Sequence, residues 1–127
     1  MTKALPKHPD AIAPNGFNMR VLLKLTSGNM AHFELLPGQT SRAIAHRKVD
    51  EIWYFLQGEG KLWRKLDDQE EIVHVKAGVC VTIPVGTYFQ VRALGNQPLV
   101  AVGVMTPPWP GDAEVYYVSG AWLSDLT

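Results

Sequence analysis

At 127 residues, 46% of them apolar, the chain can bury one core and is too short for two ordinary domains. Its twelve basic and twelve acidic residues cancel, which removes the broad positive field that nucleic acid or an anionic membrane surface would require. Small molecules and protein surfaces remain as partners, and a single cysteine, Cys80, rules out a disulfide within the chain.

Residues 1–16, with Pro6, Pro9 and Pro14 among polar neighbours, read as an arm lying over the surface or onto a neighbouring molecule. Residues 17–127 read as one domain. The N-terminus lacks a signal-peptide core, and the longest apolar run near the C-terminus, Leu99 to Met105, is too short to cross a bilayer, so a cytoplasmic location is expected. Short segments rich in β-branched and aromatic residues predict strands over Arg20 to Leu25, Met30 to Leu36, Glu51 to Leu56, Lys61 to Leu66, Glu71 to Val75, Val79 to Ile83, Tyr88 to Leu94, Leu99 to Met105 and Glu114 to Val118. Turn chemistry separates them, at Ser27-Gly28-Asn29, Pro37-Gly38, Gly58-Glu59-Gly60, Asp67-Asp68, Ala77-Gly78, Pro84-Val85-Gly86 and Gly95-Asn96.

This spacing, with no long segment of helical period, predicts an all-β sandwich or barrel. The acidic stretch from Asp67 to Glu71 reads as a solvated hairpin tip, and Cys80, inside an apolar run, as a buried small hydrophobe. Pro107-Pro108-Trp109-Pro110-Gly111 cannot continue a ladder. It is expected to fold across a barrel mouth or edge and seat Trp109, either as a stiff corner or as a substrate lid.

Two constellations carry the chemistry. Gly38, Ile44-Ala45-His46, Glu51 and Gly58 follow one another at fixed intervals, and Gly78, Pro84-Val85-Gly86, Phe89 and Ala93 do so further on. Both sets of intervals resemble the two motifs of the cupin family, over roughly Arg20 to Met105. The resemblance implies an all-β fold, a double-stranded β-helix or jelly-roll barrel, and the Pro/Trp-rich loop follows at the C-terminal side of that domain. It also implies a metal site with gaps. Cupin ligands fall at the positions of Ile44, His46, Glu51 and Phe89, and only His46 and Glu51 can coordinate. No cofactor is therefore expected. A divalent iron, manganese, nickel or zinc ion held by His46, Glu51 and a third ligand such as His32 is the alternative.

Alternation along strands predicts the pocket lining. If His46 points inward, so do Ile44 and Arg42, with Trp53 and Phe55 following Glu51 and Val91 following Phe89. A lone histidine in a β core is ordinarily a packing residue, and a lone glutamate in a strand ordinarily lies at the surface. What raises His46 and Glu51 above that is their coincidence with two ligand positions.

Three functions are compatible with these residues. The first is a metal-independent enzyme of isomerase, dehydratase or lyase type acting on a small oxygen-rich metabolite. There His46 serves as general acid or base, Glu51 orients it, and Arg42 grips a carboxylate or phosphate. The second is a metal-dependent dioxygenase or hydrolase, and the third a non-catalytic binding module. Exposed edge strands and the N-terminal arm lead to the expectation of a homodimer.

Overall fold

In a computed structural model, which describes residues 1–126, two antiparallel sheets face each other. The strands are β1 Ala11–Ile12, β2 Asn18–Lys24, β3 Asn29–Leu35, β4 Ile44–His46, β5 Asp50–Gln57, β6 Glu59–Leu66, β7 Gln69–Lys76, β8 Cys80–Ile83, β9 Tyr88–Leu94, β10 Leu99–Thr106 and β11 Val115–Tyr117, with a 3-10 turn over Asp112–Glu114. One sheet has the order β1-β2-β3-β10-β5-β8 and the other β11-β4-β9-β6-β7. This is the jelly-roll arrangement, in which consecutive strands cross between sheets and the apolar faces meet inside. No helix among the described residues is long and apolar enough to cross a membrane.

Strand β5 shows why the sequence folds this way. From Asp50 to Leu56 exposed and buried residues alternate without a break, so Glu51, Trp53 and Phe55 enter the core while Ile52, Tyr54 and Leu56 face out. On the neighbouring β10, Gly103 is what lets the aromatic core close. A Cβ there would meet the rings of Phe33 and Trp53 at 2.9 Å, and without it those rings stack 4.9 Å apart across the strand. Gly58, at φ 82°, turns β5 into β6 against the Pro98 carbonyl, where no side chain fits.

Both ends of the chain pack against the barrel. The arm folds back on its own barrel: β1 pairs with β2, the Lys3 Nζ donates to the Val21 carbonyl at 2.7 Å, and the Val21 amide donates to Asp10 Oδ2 at 2.8 Å. Its last residues, Ala13 and Asn15, are buried and belong to the core region. At the other end, residues 120–126 strap the outer face of the five-stranded sheet. Gln90 Nε2 donates to the Ser41 and Trp122 carbonyls, its Oε1 accepts from the Trp122 amide, and Asp125 accepts from the Thr40 amide.

Cys80 is exposed, which corrects its reading as a buried hydrophobe. It lies on the edge strand β8, where alternation buries Val81 and Ile83 and leaves Cys80 and Thr82 on the outer face. Glu114, assigned to a strand by its neighbours, lies instead in the 3-10 turn before β11.

Candidate active site

Strand β4 is three residues long, and its alternation sends Ile44 and His46 inward and Ala45 outward. The chain turns over Arg47–Val49 and enters β5, whose first inward residue is Glu51. Sequence separation of five residues thus becomes direct contact. His46 Nε2 lies 3.2 Å from Glu51 Oε2, and the two residues are 3% and 4% exposed. The pair is close but lacks the alignment of a hydrogen bond, so Glu51 Oε2 has no hydrogen-bond partner among the described residues and can accept a proton or hydrogen bond from a third group.

A second carboxylate approaches from the opposite side of the ring. Glu114 Oε2 lies 3.7 Å from His46 Nδ1, and Glu114 is 4% exposed. That oxygen accepts from the backbone amides of Lys48 and Val49 at 2.8 and 2.9 Å. Glu114 therefore closes the turn between β4 and β5 and sets the space in which His46 stands. Phe89 stacks on the imidazole with centroids 5.8 Å apart, and Trp109 meets it edge-on at 5.6 Å.

These groups border an internal cavity lined by Ile44, His46, Glu51, Trp53, Phe89 and Trp109, together with Phe33, Met19, Met105 and the segment Ala13–Asn15. Its volume is about 20 Å3, room for one water molecule. Its walls are aromatic and apolar apart from His46, Glu51 and Asn15. Trp109 closes one side. The amide of Trp109 donates to Asn29 Oδ1 at 2.8 Å, which fastens the proline-rich loop over the cavity.

Several residues expected in the lining are elsewhere. Arg42 packs its guanidinium over the Tyr117 ring, 3.7 Å from the centroid, and its amide donates to the Asn15 carbonyl. Alternation does not carry from His46 to Arg42 because β4 begins only at Ile44. Phe55 and Val91 face inward but are sealed in the core beyond the cavity, since parity predicts a face and not a depth. His32 lies between the inward residues Ala31 and Phe33 and faces away from the cavity, in register with Arg20 and Val102. Burial and the neighbouring Arg20 guanidinium lower its pKa, against a smaller opposing effect of Glu34.

The residues sequence reasoning missed are Glu114, Ala13, Pro14, Asn15, Met19, Phe33 and Met105. Met105 is opposite Glu51 in the β5–β10 register, which follows from pairing and not from any local pattern. Glu114 carries no motif at all.

A family model described as a cupin domain matches residues 31–105, more than half of the chain. The chain belongs to the cupin family. Among solved structures, this cupin resembles a conserved double-stranded β-helix protein from Klebsiella pneumoniae, with 19% identity, a TM-score of 0.67, and 85% of this chain and 89% of that one covered. It also resembles KdgF from Halomonas, at 15% identity and TM-score 0.66, covering 77% of this chain and 85% of that one. Oxalate decarboxylase from Lactobacillus farciminis aligns at 19% identity and TM-score 0.71, over 90% of this cupin and 33% of that chain. At these identities the likeness establishes the fold. No curated protein matches the cupin in sequence.

The donors present do not fit a metal centre of the usual cupin kind. Ile44 and Phe89, directly opposite each other across β4 and β9, hold the two other ligand positions. Glu114 addresses Nδ1 and Glu51 addresses Nε2, so the two carboxylates cannot converge with one histidine nitrogen on a single ion. Among the described residues no group of three or more histidine, cysteine, aspartate or glutamate side chains is placed to share an ion.

Proposed function

We propose that this cupin is a metal-independent enzyme that moves protons on a small metabolite, in a reaction of isomerase, dehydratase or lyase type. The observation that carries the reading is the His46–Glu51 pair, 3.2 Å apart and buried at the wall of an aromatic cavity. A buried carboxylate beside an imidazole is costly unless it has a use or a partner. In the proposed reaction His46 Nε2 takes a proton from a carbon or hydroxyl group and returns it at a second position. Glu51 and Glu114, 3.2 and 3.7 Å from the two ring nitrogens, stabilise the imidazolium formed in between.

Supporting metal independence is the donor count, two at the four family positions. The sequence expectation of an anionic, oxygen-rich substrate gripped by Arg42 loses its support, because that guanidinium is engaged with Tyr117 outside the cavity. A non-catalytic binding role would use the same cavity and differs in one measurable respect. Incubated in D2O with a desalted metabolite extract and no added cofactor, the wild-type protein should introduce deuterium into a metabolite or eliminate water from it. His46→Ala and Glu51→Gln should not. Mass spectra identical for wild type and His46→Ala would end the acid-base reading and leave the binding role.

A further inference from the structure

The lining of the His46–Glu51 cavity contains no lysine or arginine. The nearby cations are committed elsewhere: Arg42 lies over Tyr117, Arg47 over Tyr116 at 5.0 Å, and Arg20 donates to the Pro6 and Lys7 carbonyls. Two buried acids, Glu51 and Glu114, flank one imidazole. The ionisable groups of this buried set are thus two carboxyls and one imidazole. Glu51 Oε2, buried and without a hydrogen-bond partner, borders the cavity. The cavity wall carries the rings of Phe33, Trp53 and Phe89, and Trp109 closes one side.

From this arrangement we infer that the ligand is a small organic cation with an apolar body, an alkylammonium-type group whose charge is held by Glu51 and whose body packs on the apolar wall. A buried carboxylate without a hydrogen-bond partner supplies the countercharge, its attraction for a cation grows where water is excluded, and the apolar wall receives the carbon body. An anion would meet the free Glu51 oxygen with no lysine or arginine in the lining to offset it. The inference rests on the reading that this cavity is the protein's ligand site, and it holds whether or not chemistry follows binding.

Room for the ligand comes from Trp109. It is only partly buried and is packed against the core from a loop, whereas Phe33, Trp53 and Phe89 are sealed within strands. Turning its indole outward opens the side of the cavity next to His46 and leaves the strands in place.

Three probes of one shape and different charge test the inference: choline, 3,3-dimethylbutan-1-ol and 3,3-dimethylbutanoate. Calorimetry and amide chemical shifts, measured on the wild type and on Trp109→Ala, should show choline binding on the order of tenfold more tightly than the neutral alcohol, with the anion weakest. Glu51→Gln should erase the preference for the cation, and Glu51→Asp, which keeps the charge, should retain most of it. Equal binding of the three probes, tightest binding of the anion, a cation preference that survives Glu51→Gln, or no choline binding in either wild type or Trp109→Ala would each overturn the inference. Choline binding without deuterium transfer to any metabolite would leave it standing and remove the enzymatic reading alone.

Discussion

His46 stands between two carboxylates, one at each ring nitrogen, and the two do different work. Glu114 is tied to the backbone amides of Lys48 and Val49, while Glu51 has an oxygen left over for a ligand. His32 is a histidine of another kind. It faces Arg20 from β2 and Glu34 from its own strand, its Nδ1 is buried without a partner, and its pKa is lowered chiefly by burial. The folded protein thus prefers it neutral. As pH falls below its ordinary value of about 6.5, the unfolded chain takes up a proton that the folded protein refuses, and this contribution to stability declines until the lowered folded value is passed. Urea melts at about pH 7.5, 6 and 5 should show wild type losing more stability on acidification than His32→Gln. Parallel losses in the two proteins would refute the assignment.

At the level of elements, the short β4 and its pairing with β9 decide what the site can hold. Ile44 and Phe89 are cross-strand partners, and Phe89 also covers the His46 ring. Replacing both as Ile44→His and Phe89→His brings the donor set from two to four, with neutral imidazoles suited to zinc, nickel or iron. Calorimetry should find stoichiometric zinc or nickel binding in the double variant and none in the wild type. The variant should also lose a few kcal/mol of stability, because Phe89 is fully buried. A wild-type protein that binds one ion per chain with equal affinity would show that donors outside these four positions complete a site.

For the whole molecule the two outer sheet faces differ. The C-terminal strap crosses β9 of the five-stranded sheet, while on the six-stranded sheet Met30, Val104 and Ile52 form a continuous exposed row across β3, β10 and β5, with Tyr54 and Leu56 beside it. Exposed apolar surface of this kind marks an association face. Because a two-fold axis lets one patch cover an identical patch, we propose a second copy of this chain as its occupant. The N-terminal arm is engaged with β2 of its own barrel, while β7 and β8 remain sheet edges. Light scattering should return a dimer for the wild type and a monomer for Ile52→Glu. A monomeric wild type would dismiss the homodimer.

The sequence by itself determined the barrel and the candidate pair. Strand alternation, the turn residues and the motif intervals are local or nearly local properties, and His46 and Glu51 are separated only by a tight turn. Strand β4, three residues long, carries too little periodicity to show in the sequence, and the apolar run around Cys80 does not reveal that its strand is an edge. Only the tertiary structure decided how deep each inward residue lies, that Arg42 turns to Tyr117, and that Asn15, Trp109 and Glu114 close around His46 from both ends of the chain. Those contacts join residues far apart in sequence, where no period or spacing relates them, and packing alone brings them together.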